Sequence, residues 1–165
     1  MADTTYPPID VMEGWSSIND HLIELLDLIP DDKLDYSPKP ELWNFKGLFI
    51  HICIGRYGMM QGIIKDGIES PNVLVEGQAK DGLRKLLLAS WERMEPFLRD
   101  SIAVNRGYQL DFPGGESARY TGHWLVFGQL EHDIHHRADI LHYLRELGIE
   151  HEEPDAIVRR LREQK

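Results

Sequence analysis

Residues 131–148 read EHDIHHRADILHYLRELG, and the reading of this stretch decides the fold. No proline or glycine interrupts it before Gly148. The pattern predicts one continuous helix, opened by Thr121 as N-cap and closed at Leu147, with Gly148 as the left-handed stop. Four of the chain's eight histidines fall within it: His132, His135, His136 and His142. In a helix, residues four apart differ by about 40° around the axis and about 6 Å along it, so His132 and His136 project from one face. That is a chelating pair.

With Asp133 between them, the two histidines look like the H-E-x-x-H signature of zinc peptidases. His142 stands where the extended form of that motif has its third ligand. Helix continuity argues against a peptidase. The extended motif needs a glycine where this chain has Asp139, and without that break His142 lies about 80° away from His132 and nearly three turns along the axis. Asp133 is one methylene short of the glutamate base and points about 100° off the His132 direction. A third ligand must therefore come from another helix.

His51 is the best placed. It lies in the apolar run LFIHICIGRY, where a buried imidazole needs a partner for its ring nitrogens. His21 has Asp20 and Glu24 as neighbours and reads as solvated, His123 is more than two turns before His132, and His151 belongs to the tail. His135 points to the side away from His136 and stays outside the ligand set, as does His142. Asp139 reads as an ordinary exposed helix aspartate or as a hydrogen-bond acceptor for a ligand imidazole; Gln129 has the same two readings. Cys53 reads as a small core residue, and Trp15, Trp43, Trp91, Trp124, Met59 and Met60 as core or interface.

The rest of the chain supplies the other helices. Val11, Trp15, Ile18, Leu22, Leu25 and Ile29 recur at helical spacing, which predicts a helix from about Ile9 to Ile29, stopped by Pro30. A Pro-containing loop follows, from Asp31 to Leu42. Asn44 is positioned to cap a second helix from Phe45 to about Ile64, despite Gly55, Gly58 and Gly62. A third helix is expected over Gln78 to Ile102, with Pro96 inside it. The segment from Val104 to Arg119 reads as a long connection with a strand-like piece. After Gly148, AIVRRLREQK predicts a short terminal helix with a solvated basic face. The fold class expected is all-α: a four-helix bundle with a long connection between helices 3 and 4 and a short C-terminal helix, one domain over 1–165 with its core at about 9–148 and a tail at 149–165.

Composition limits the function. A net charge of −10 on 165 residues repels phosphate backbones and anionic membranes, and 42% hydrophobic content is enough for a core. No basic and apolar leader or membrane-length apolar run is present, so a cytoplasmic protein is expected. The lone Cys53 can form neither an intrachain disulfide nor a thiolate metal site with a second cysteine. Any metal falls to histidine and oxygen.

The texts WNFKGLFIHI (43–52) and HDIHHRADILHYLRELG (132–148) resemble the DinB/YfiT-like superfamily of metal-binding four-helix bundles. That family tends to show a tryptophan and a cap before its first histidine, and a His-Arg pair followed by a leucine-rich ending. The resemblance implies His51, His132 and His136 as ligands of a divalent ion, with zinc, nickel and cobalt all acceptable. Asp139 departs from it, since relatives often carry a neutral residue there. The resemblance also implies a metal-dependent enzyme, with a low-molecular-weight-thiol S-transferase as the leading reaction and a small-molecule thiol as partner. The alternatives are a metal-dependent hydrolase and a non-catalytic homodimeric protein that binds metal or ligand. Apolar residues on more than one face from Leu125 to Leu144 favour a homodimer.

Overall fold

The first helix, α1 (Val11–Leu28), turns Trp15, Leu22, Leu25 and Leu26 inward, all fully buried. It stops just ahead of Pro30, because the residue before a proline is driven out of helical backbone. The structure is a computed structural model that describes residues 11–111 and 114–152. The expected start of α1 at Ile9 and the C-terminal helix within AIVRRLREQK lie outside the described residues. The loop after α1 contains a short 3₁₀ turn (Asp31–Lys33) and is tied to the next helix by Lys46 N donating to Leu34 O at 3.0 Å and Phe45 N to Tyr36 O at 3.1 Å.

Helix α2 (Phe45–Gly58) begins as expected at Asn44, whose Oδ1 accepts from the Gly47 amide at 2.8 Å and satisfies one of the free N-terminal donors. It runs on as a π-helical turn, Met59–Ile64, closed by Lys65 in left-handed backbone (φ 57°). A single helical turn, α3 (Val73–Glu76), was not expected.

Helix α4 (Lys80–Arg99) accommodates Pro96 but ends three residues before the expected Ile102. Asp100 takes extended backbone, and its carboxylate accepts from Ile102 N at 2.9 Å and Ala103 N at 3.1 Å, starting a separate short helix, α5 (Ser101–Asn105). The long connection then forms an antiparallel hairpin, β1 (Gly107–Asp111) and β2 (Ser117–Thr121), with Gly107 opposite Thr121 and Asp111 opposite Ser117. The segment from Val104 to Arg119 supplies β1 and the first part of β2, rather than one strand-like piece.

Helix α6 (Gly122–Glu146) follows directly. Thr121 caps it by accepting from Trp124 N. At its end Ile149 N donates to Leu144 O at 2.9 Å and Gly148 N to Arg145 O at 3.0 Å, the Schellman pair, with Gly148 at φ 69°. At its start, a Cβ on Gly122 would lie 2.5 Å from Val104 Cα, so only glycine lets α5 and α6 approach this closely.

The protein is mostly helical. Both α1 and α2 pack against α4 and α6. The apolar interior forms two clusters. One gathers Leu22, Leu25, Phe49, Leu83, Leu87 and Leu144, and the other Trp15, Met59, Trp91, Met94 and Phe97. Burying each such side chain contributes roughly 1.5–3 kcal/mol relative to exposure. Between the clusters the long helices contribute Asn19, Arg56, Ser90 and Asp133, all buried. The core is thus crossed by a polar layer. Among the described residues no helix is long and apolar enough to cross a membrane.

Candidate metal centre

Helical spacing on α6 sets His132 and His136 on one face, and α2 brings His51 across to meet them. The ring centroids of His51 lie 4.8 Å from those of both His132 and His136, which are 4.7 Å from each other. One nitrogen from each ring falls within 4.8 Å of the other two. The close approach of the helices depends on Gly55, where a Cβ would lie 3.0 Å from His132 Cε1. Any other residue would displace the His132 ring.

Each α6 imidazole is held from behind. His136 Nδ1 is hydrogen-bonded to Asp139 Oδ2 at 3.1 Å, which leaves Nε2 as its free ligand atom. Asp139 is half-buried, and of its two sequence readings the acceptor for an imidazole is the observed one. His132 Nδ1 lies 3.4 Å from Gln129 Nε2 and 3.6 Å from Asp133 Oδ1. Gln129 is buried and donates to Asp133 Oδ1 at 2.9 Å. Burial lowers the pKa of His51, and the adjacent His132 and His136 lower it further. Burial also lowers that of His136, against the opposing pull of Asp139. Both rings therefore favour the neutral form that binds metals.

Asp133, which the sequence already excludes as a peptidase base, has a structural role that the sequence reading does not show. Its carboxylate is fully buried, and Oδ2 accepts from Trp15 Nε1 at 3.0 Å, Arg56 Nε at 3.1 Å and an Arg56 terminal nitrogen at 2.9 Å. The other Arg56 terminal nitrogen reaches Asn19 Oδ1 at 2.8 Å. Burial pushes the Asp133 carboxyl up, but the Arg56 charge and the hydrogen bonds from His132, Trp15 and Arg56 hold it below the usual carboxylate range. A permanently ionised, fully paired group does not serve as a base. The available signal was Arg56 itself, a full charge inside LFIHICIGRY that must find a partner once that run is buried.

Trp43, expected in the core or an interface, is not in the core: it is 49% exposed and lies over the site, its ring 4.2 Å from that of His51 and 5.7 Å from that of His136. Trp124 is exposed as well, whereas Trp15, Trp91, Met59 and Met60 are buried. His21, read as solvated, is only 2% exposed, because the face of α1 that carries it also carries Leu22 and Leu25. Cys53 is a core residue as expected, and burial pushes its thiol up to about 12. His142 is exposed beside Glu146, and His123 lies 3.2 Å from Asn105, both away from the triad. His135, His136 and Asp139 form a second, more exposed grouping that shares His136.

The donor set fits a divalent ion: three imidazoles, nitrogen donors suited to first-row metals, converge from two helices. Fold and site thus define a helical protein with a histidine cluster able to hold a metal. The chain belongs to the DinB family, whose model matches residues 1–163. It is 25% identical over 125 residues to the Bacillus subtilis protein YjoA, a match covering 76% of this chain and 80% of that one. The crystal structure of that DinB-like protein superposes with a TM-score of 0.62 at 21% identity, covering 87% of this chain and 94% of the other. A DinB-like protein from Bacillus cereus gives 0.64 at 17% identity, over 86% and 93% of the two chains. A putative DinB family member from Exiguobacterium sibiricum gives 0.62 at 15%, over 89% and 98%. The likeness to these solved structures is one of fold.

Proposed function

We propose that the chain binds one divalent ion, zinc, nickel or cobalt, through His51, His132 and His136, and that it transfers the sulfur of a low-molecular-weight thiol to an electrophile. The observation that carries this reading is the convergence of three imidazoles, with no carboxylate among them, beneath a half-exposed indole. Three protein ligands leave at least one position open. When bound, such an ion lowers the pKa of a coordinated thiol, so that sulfur is nucleophilic at neutral pH. Around it, Asp139 fixes the orientation of His136, Gln129 and Asp133 flank His132, and Trp43 shields one side from water. In the transfer a sulfur–carbon bond forms, the bond to the electrophile's leaving group breaks, and the thiol proton goes to solvent.

The same reading takes α1, α2, α4 and α6 as a four-helix bundle forming a single domain, with the lone buried cysteine suited to the reducing cytoplasm. Hydrolysis has less support, since the acid beside His132 is committed to Arg56. A specific observation favours one further reading, a homodimer that holds metal or ligand without turnover. Trp124, Phe127 and Ile134 are large apolar side chains left exposed on α6.

Metal analysis of the purified protein tests the site: about one ion per chain is expected, falling sharply in His51→Ala. Unchanged occupancy in that variant removes the triad. Metal-loaded protein is then incubated with small thiols and a panel of electrophiles. A thiol-dependent rate above the metal-free control supports transfer, and none supports the non-catalytic reading.

A further inference from the structure

Beside the triad lies a cleft of about 690 Å³, between the α2/π segment, the hairpin and α6, and His132 and Gln129 form part of its wall. That volume is in the range of small-molecule sites. Ile54, Met59, Ile63, Leu110, Trp124 and Leu125 are its large apolar lining residues. Among the described residues, the one titratable acid or base lining it besides His132 is Asp111, with Tyr120 as its phenol.

Glycines keep this cleft open. Gly58, Gly62 and Gly128 all line it, and each sits in helical backbone, where glycine is less favourable than alanine. None of the three has positive φ, and a Cβ built on any of them meets nothing within 4 Å. Neither backbone conformation nor helix packing explains them. Gly55 on the same face is different, since it is needed for the seat of His132.

We infer that this cleft binds the apolar body of the electrophilic substrate, an aryl or alkyl compound that is uncharged or singly cationic, with its reacting carbon at the His132 end. The class of compound follows from the wall. Aliphatic and aromatic side chains select an apolar body, and Asp111 in a chain of net charge −10 disfavours anions. The identity of the occupant as substrate rests on the proposed transfer reaction; its binding to the cleft does not.

The test uses N-phenyl-1-naphthylamine, a neutral fluorescent probe, and its sulfonated anionic analogue, titrated into the full chain with and without zinc. Expected are saturable binding of the neutral probe at about one per chain, weaker binding of the anion by tenfold or more, and little dependence on metal. Gly128→Leu fills the cleft with a better helix former, so loss of binding there is not loss of fold. It is expected to weaken the neutral probe at least tenfold while the metal content stays at the wild-type value. Equal probe affinity in wild type and Gly128→Leu overturns the assignment. So does conversion of a dimer to a monomer by Gly128→Leu with no probe bound to wild type, which would make a second copy the occupant. If the triad holds no metal but the neutral probe binds as described, the transfer reading fails and the cleft stands.

Discussion

Arg56 and Asp133, 77 positions apart, meet at 2.9 Å with both side chains wholly out of solvent. The pair joins α2 to α6 directly behind the face that presents His51 and His132. Trp15 and Gln129 complete the carboxylate's hydrogen bonding, and Asn19 and Ser90 that of the guanidinium. Removing one partner leaves the other charged and buried. Asp133→Asn is expected to cost about 3–5 kcal/mol, measured as a lower urea midpoint at unchanged slope. An Arg56→Met, Asp133→Leu double variant should recover much of that loss, because it removes both desolvation costs. Equal destabilisation in the single and double variants would show that the pair's charge is not what matters.

Asp139 is expected to act on metal binding rather than on the fold. It is half-buried, hydrogen-bonded to His136 and 3.7 Å from His135. Asp139→Ala is expected to lower metal affinity roughly 10–100-fold while leaving the melting temperature within a few degrees of wild type. Trp43, against His51, provides the readout: cobalt binding should quench its emission. Trp43→Phe should abolish most of that quenching, and Trp124→Phe should retain it.

Acid sensitivity has a named source in Asp66 and Arg93. Two hydrogen bonds of 2.8 Å join them, and those bonds hold the Asp66 carboxyl below its ordinary value. A carboxyl depressed in the folded state stabilises the protein above its unfolded pKa of about 3.9. That contribution is lost as pH falls through the lower, folded value. Asp66→Asn should therefore destabilise the protein at neutral pH and narrow its difference from wild type under acid, as followed by thermal melts from pH 7 to pH 2. A constant difference across that range would contradict this.

Gly122 should tolerate no side chain. A Cβ there would lie 2.5 Å from Val104 Cα and 2.7 Å from Val104 O, both backbone atoms. Gly122→Ala is expected to cost about 1–3 kcal/mol, despite alanine's better helix propensity. Gly14, with open space around its built Cβ, is the control, and Gly14→Ala should be neutral or stabilising.

Much of this was legible in the sequence, and the limits are physical. His132 and His136 could be paired because a helix repeats every 3.6 residues, and the absence of a breaker through Asp139 excluded His142. His51 stood out as an imidazole in an apolar run. Arg56 stood in the same run, but its partner lies on another helix, and no local periodicity indicates a contact of that length. The break at Asp100 was hidden because Ser101 to Asn105 continue as helix, and only the cap geometry separates α5 from α4. For Trp43 the sequence left core and interface open, and its exposure, which follows from the position of the loop before Asn44, removes the first.

The ligand set of the proposed centre consists of imidazoles alone, and this has an electrophoretic consequence. A site built from carboxylates or thiolates cancels the charge of the ion it takes up. Neutral rings cancel none of it. Each divalent ion held by His51, His132 and His136 would move the chain's net charge of −10 two units toward zero. Loaded and empty molecules should then separate on an anion exchanger, with the loaded form eluting first.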